Sequence, residues 1–280
     1  MLKIESVSEM RTHAAQLRAA GKKVALVPTQ GALHAGQEAL IQAAVREADV
    51  VVVSIFVNPL QFPPNEIVAR YPRSLEADLA LCERCGAHIA FVPEVDEIYP
   101  KGFSTYVTED HVGKTLDGVS RPSHFRGVIT MMAKLCNIVH PTSAYFGQKT
   151  AQRAAVVRKM AADLGFDLEV VIVPTVREAD GLAAGVRNRD LTSGQRQDAL
   201  ALHTAVQKAS AMMAQGVRSP DRIIAEATHI LGERRRIRVI YISIVDRVTM
   251  EPVRDLAPGR AMLAMAVWID EIRLIDNVLL

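Results

Sequence analysis

One short stretch, Val27-Pro28-Thr29-Gln30-Gly31-Ala32-Leu33-His34-Ala35-Gly36-Gln37, limits what this chain can fold into more than any other. An apolar, β-branched run from Val24 to Val27 ends in Pro-Thr-Gln-Gly and opens into the helical pattern Glu38-Ala39-Leu40-Ile41-Gln42-Ala43-Ala44. A strand, a tight turn and a helix whose N-terminal amides face that turn form a layout suited to holding phosphate. His34 and Gln37 are three residues apart at the helix mouth, a spacing that lets both side chains address one bound group.

The same alternation continues for about 175 residues. Val24–Val27, Val50–Phe56, Ile89–Val92, Ala144–Phe146 and Leu168–Val173 read as short strands buried on both faces. Helical patterns cover Ser8–Ala20, Gln37–Ala48, Leu75–Cys85, Gly127–Val139 and Thr150–Leu164. The order predicts an α/β fold, a doubly wound, Rossmann-like parallel sheet, with ligands beyond the carboxyl ends of its strands. After Thr175 the order changes. Two helical stretches, Ser193–Gln215 and Pro220–Leu231, precede three strand-like runs at Arg238–Val245, Ala261–Trp268 and Arg273–Val278. We therefore expect a larger domain over 1–175 and a smaller α+β lid domain over 176–280.

Composition narrows the partners. The chain has 280 residues, 49% of them hydrophobic, and a formal net charge of +2, which speaks against nucleic acid. Arg234-Arg235-Arg236 is the one sharp basic cluster and reads as a solvated surface. The N-terminus lacks a signal-peptide apolar region, and no apolar run approaches the roughly 20 residues that span a bilayer, so a cytoplasmic protein without a membrane partner is expected. Three cysteines build no disulfide framework; Cys82 and Cys85 lie on a helical pattern without further zinc ligands, and Cys136 reads as core.

Further strings carry a resemblance. They include Ser-Ile-Phe-Val-Asn-Pro-Leu-Gln-Phe (54–62), Arg-Tyr-Pro-Arg-Ser (70–74), His-Phe-Arg-Gly-Val (124–128), Tyr-Phe-Gly-x-Lys (145–149), Val-Pro-Thr-Val-Arg-Glu-Ala-Asp-Gly (173–181), Arg-Asn-Arg (187–189) and Arg-Leu-Ile-Asp-Asn (273–277). In this order and spacing, with the 27–36 stretch, the chain resembles the pantoate–β-alanine ligase family, the pantothenate synthetases. The resemblance implies ATP-dependent joining of pantoate to β-alanine through a pantoyl-adenylate, with Mg2+ and loss of pyrophosphate, in a homodimer. Carried over residue by residue, it implies catalytic roles for His34, Lys149 and Arg187. A nucleotide would be held by Pro28, Thr29, Gly31, His34, Gly36, Gln37, Gly147, Lys149, Thr150, Val176 and Arg187. Gln30, Asn58, Gln61 and Arg153 would meet the acid, and Asp78 would stand near the metal.

The sequence departs from the family pattern within these same strings. Gln30 replaces a Met, and Gln37 replaces the last His of His-x-Gly-His, a nucleotide motif shared with nucleotidyltransferases and class I aminoacyl-tRNA synthetases. Thr150 replaces an acid, Arg153 a Gln, Pro63 a Gly, and Gly185 and Val186 two serines. Three expectations follow: a true pantothenate synthetase, a ligase for another acid or amine, or a binding homologue without catalysis.

Overall fold

The computed structural model describes residues 1–62, 71–72 and 74–280. Its residues form two compact units, one of 1–113 with 121–174, the other of 114–120 with 175–280.

The first unit holds a six-stranded sheet in the order β1-β4-β3-β2-β5-β6, formed by β1 (Leu2–Ile4), β2 (Val24–Thr29), β3 (Val50–Ile55), β4 (Ile89–Phe91), β5 (Ser143–Gly147) and β6 (Glu169–Val173). Every pairing is parallel. Its helices are α1 (Val7–Ala19), α2 (Ala35–Glu47), α3 (Leu75–Arg84), α4 (Val95–Ile98), α6 (His124–Val139) and α7 (Ala151–Asp163). The sequence expectation of a doubly wound parallel sheet is met. On one face, Ala25, Val27, Val51 and Val53 pack against Leu40, Ile41 and Ala44 of α2; the alternation of the pleat sends Leu26 and Val52 to the other. Strand β1 was not anticipated: it is three residues long, too short for a periodic pattern to show.

Helix α2 begins at Ala35, two residues before the expected start, because His34 and Gln37 form a reciprocal capping box at its mouth. Strand β2 runs on through Pro28 to Thr29 although proline lacks a ladder donor. The pairing explains this. Residues of β2 meet β3 as far as Thr29↔Ile55 but meet β5 only at Ala25 and Leu26. Thr29 turns its carbonyl to Phe56 of the β3 side, 3.1 Å away, so Pro28 faces the side that β5 has already left.

In the second unit, β7 (Ile237–Asp246), β8 (Ala261–Ile269) and β9 (Ile272–Leu279) form an antiparallel sheet with β8 central. Leu263, Met265, Val267 and Ile269 share a core with Ala199, Leu202 and Val206 of α8 (Ser193–Ala214) and Ile223 and Leu231 of α9 (Pro220–Gly232). The short α5 (Asp117–Ser120) belongs here too: Asp117 accepts from the Tyr241 hydroxyl at 2.6 Å and from Arg273 at 2.8 Å. The family-type strings near 177 and 276 also meet, since Arg177 donates to both oxygens of buried Asp276 at 2.8 and 3.1 Å.

Candidate active site

The chain winds outward from β2 through β3 and β4 on one side and through β5 and β6 on the other, so the switch point lies between β2 and β5. Doubly wound sheets bind ligands there, beyond the strand ends. Because β2 and β5 stop pairing after Leu26 and Ala144, the sheet splits at that place. The split is a cavity of about 400 Å3, counting its open mouth. Pro28, Thr29 and Gln30 form one wall, Asn58 and Gln61 another, and Phe146 and Arg153 a third. Its apolar floor is a stripe of α6, Val128, Met131, Met132 and Leu135, with Phe56 beside it. From the sequence, Val128 and Phe56 read as pocket wall and not as chemical groups. The i, i+3, i+4, i+7 spacing of the stripe would have exposed the rest had α6 been placed against the motif loops.

The turn after β2 is built on backbone conformation. Gly31 and Ala32 both have positive φ, 80° and 50°, a concave arrangement of successive amides that suits an anion. Here the anion is internal. The buried carboxylate of Asp78 accepts from the amides of Ala32 at 2.8 Å and Leu33 at 2.7 Å, and from the Ser74 hydroxyl at 3.2 Å. Asp78, expected near a metal, secures the turn through both its oxygens, which accept from N–H and O–H donors. Among the described residues no group of three or more His, Cys, Asp or Glu side chains could hold a metal ion.

At the mouth of α2, His34 Nδ1 accepts from the Gly36 amide at 3.1 Å, so the neutral ring carries its proton on Nε2. A Cβ at Gly36 would lie 2.8 Å from the ring, hence glycine. Gln37 Oε1 accepts from the His34 amide at 3.2 Å. Gln37, expected to meet the nucleotide, therefore spends its carbonyl oxygen on the helix end.

Asn58 caps and Gln61 ends the one-turn helix Pro59–Gln61, which α6 grips closely. A Cβ on Gly127 would come within 2.3 Å of the Leu60 carbonyl oxygen, so only glycine allows this approach. Asn58 donates to Gly127 O at 2.9 Å and accepts from Leu60 N at 3.1 Å and the Tyr99 hydroxyl at 3.0 Å. Burial pushes the Tyr99 phenol far up, so it stays a donor. Asn58 is thus mainly a brace, with both acceptor positions of its oxygen filled. The Gln61 carbonyl is held by Arg121 at 3.2 Å and faces His124 Nδ1 at 3.1 Å.

Gly147 ends β5, and Lys149 and Thr150 follow it on the same strand edge as the 29–37 turn; the Thr150 hydroxyl returns to Gly147 O at 3.2 Å. Val176 and Arg187 belong to the second unit, where Ala184 N donates to Val176 O at 2.9 Å and Arg187 lies 3.8 Å from Asp190. Pro63, Arg70 and Arg73 of the family-type strings lie outside the described residues.

A family model described as pantoate-beta-alanine ligase matches residues 3–279. The chain belongs to the pantoate–β-alanine ligase family. A pantothenate synthetase of Moorella thermoacetica is 45% identical over 277 residues, covering 99% of this chain and 98% of that protein. The crystal structure of pantothenate synthetase from Thermus thermophilus is similar with a TM-score of 0.93 at 41% identity, covering 99% of each chain. That of a Francisella tularensis pantoate-beta-alanine ligase complexed with β-γ ATP and β-alanine has a TM-score of 0.79 at 28% identity, over 100% of this chain and 97% of that one. Membership makes this chain a ligase.

Proposed function

We infer that this chain condenses pantoate with β-alanine at the expense of ATP, through an acyl-adenylate. The observation that carries the inference is the cavity at the strand split: an apolar floor for a branched aliphatic chain, carboxamides for hydroxyls, and Arg153 for a carboxylate, in a chain of this family.

In the first step a carboxylate oxygen of the acid attacks the α-phosphorus of ATP and the bond to pyrophosphate breaks. Charge builds on the phosphoryl oxygens and on the leaving group, and groups fixed in advance to meet it lower the barrier. Lys149 supplies a cation and His34 an Nε2–H donor from a ring whose other nitrogen is already engaged. In the second step the amine nitrogen of β-alanine attacks the acyl carbon; the bond to the phosphate oxygen breaks, AMP leaves, and the amine loses a proton. The apolar floor keeps water from the activated acyl group. Roles for Val176 and Arg187 rest on the resemblance.

Asp78 holds the turn through both its oxygens, and no further carboxylate or imidazole stands with it to make a group of three metal ligands among the described residues. Magnesium would enter on the phosphate oxygens of ATP, as it commonly does. No helix of the described residues is long and apolar enough to cross a membrane, and we propose a cytoplasmic homodimer, tested by light scattering.

The deciding experiment measures pyrophosphate release with pantoate and ATP, then pantothenate formation on adding β-alanine. Pyrophosphate release that depends on pantoate supports the function; none with pantoate overturns it. The non-catalytic alternative and the alternative acid are not favoured by relatives that are pantothenate synthetases across their length.

A further inference from the structure

A primary amide offers a carbonyl oxygen at one end and two N–H donors at the other, and the end a ligand meets is decided by what holds the opposite one. Gln61 is held almost everywhere. Its backbone N–H donates to Asn58 O at 3.1 Å, and its carbonyl receives Arg121 and faces His124. Its side-chain oxygen accepts from Gln30 Nε2 at 2.6 Å. Both glutamines line the cavity, and Gln61 is only 9% exposed. Gln30 in turn stands between the last residue of β2 and the turn that Asp78 secures, so the donor that orients Gln61 is itself rigidly placed.

We propose that Gln30 is a specificity-determining residue of the acid site: it turns the N–H2 end of Gln61 toward the cavity and adds its own carboxamide oxygen beside it. The pair then offers donors to a carboxylate or hydroxyl oxygen and an acceptor to a hydroxyl proton, above an apolar floor. The ligand chemistry this selects is a short, branched aliphatic acid bearing a hydroxyl, in preference to the same skeleton without it. The proposal rests on the acid-ligase reading of the site and names what distinguishes its substrate. The family pattern has Met at this position, so the orienting donor belongs to this chain's own residues.

The test compares pantoate with the corresponding deoxy acid in the wild type, Gln30→Met, Gln30→Glu, Gln61→Ala and the Gln30→Met/Gln61→Ala double variant. Glu keeps the size of Gln but only accepts, so the Gln61 amide turns round and KM for pantoate rises at least tenfold while KM for ATP stays within twofold. Gln30→Met lowers the preference for the hydroxy acid at least fivefold, and this effect disappears once Gln61 is Ala. An unchanged preference in both Gln30 variants, or additive effects in the double variant, overturns the proposal. Should the wild type release no pyrophosphate with pantoate, the functional reading fails separately. The amide pair is then decided by the side-chain N–H2 signals of Gln61 in a 15N spectrum: a shift on Gln30→Met supports the orienting role, and unmoved signals overturn it.

Discussion

The carboxylate of Asp78 lies 2.7 Å from the amide nitrogen of Leu33, across 45 residues of sequence, and the neighbouring Ala32 amide completes the grip at 2.8 Å. A buried acid here takes the place of a bound anion in the turn after β2. Asn at 78 would set an N–H2 against one of those amides, so Asp78→Asn should cost about 2–4 kcal/mol of stability by the usual penalties for charge-assisted bonds and unsatisfied donors. KM for ATP should rise with it as the turn loosens. The concentration of magnesium giving half-maximal rate should stay where it was. A stable variant in which only the magnesium requirement rises would return Asp78 to a metal role.

Gly127 carries a second prediction. With 2.3 Å between its imagined Cβ and Leu60 O, Gly127→Ala must push the Pro59–Gln61 turn aside, at about 1–3 kcal/mol for overpacking. Because Gln61 moves with that turn, kcat/KM for the acid should fall more than tenfold, well beyond the loss in thermal stability. Wild-type kinetics in a folded Gly127→Ala variant would mean that α6 does not set the position of Gln61.

Lys149 follows directly on the end of β5, at the strand edge where phosphate is expected. Losing one charge-assisted phosphate contact costs about 1.5–3 kcal/mol, so Lys149→Ala should weaken ATP binding by roughly 10- to 150-fold. Calorimetry showing unchanged affinity would remove Lys149 from the nucleotide site.

Much of this architecture could be read from periodicity, and the reason is visible in particular residues. Val51, Val52 and Val53 are buried on both faces of the sheet, so their run is continuous and unmistakable. The motif residues mark the loops beyond the strand ends but not how each side chain is used. Asp78 and Ala32 become neighbours only after α3 docks beside α2, and no spacing rule reports a carboxylate meeting amides 46 residues away. The Gln30–Gln61 bond likewise depends on β2 and β3 ending side by side. Gln37 was different: an Asn-, Ser- or Thr-type cap followed by Gln at the third position is a known helix-start signal, hidden here because the capping residue is a histidine.

Alkaline pH should unfold the protein through its buried acids. Burial, joined at Cys82 by the nearby Asp78 and at Tyr145 by Glu47, pushes the thiols of Cys82 and Cys136 and the phenol of Tyr145 up to about 12 each. The unfolded chain releases thiol protons from about pH 8.5 and phenol protons from about pH 10, while the folded chain keeps them. Stability is therefore complete at neutral pH and declines as pH rises through this window, by up to about 1.4 kcal/mol per unit for each group that has begun to titrate. Urea unfolding from pH 7 to 11 should show this decline, with a shallower slope in Cys136→Ala. A flat profile up to pH 10.5 would show that the thiols are not sheltered.

The capping box at α2 gives the last prediction. Gln37 Oε1 receives the His34 amide while His34 Nδ1 receives that of Gly36, so both side chains cap the N-terminal end of the helix. Gln37→Glu keeps an acceptor at the same reach and adds a negative charge to a helix N-terminus, where the dipole favours it. Its stability should equal or slightly exceed the wild type. It should nonetheless bind ATP less well, since a carboxylate beside phosphate repels. Gln37→Ala should lose about 0.5–1 kcal/mol of stability and, with His34 no longer braced, raise KM for ATP. Gln37→His tests the family pattern itself: it surrenders the capping acceptor and supplies a ring that can carry charge. If position 37 serves mainly to brace His34, Gln37→His should lose stability comparably to Gln37→Ala and gain little in ATP affinity. A gain of tenfold or more in ATP affinity, without a loss of stability, would show instead that a phosphate contact, and not the cap, decides what this position does.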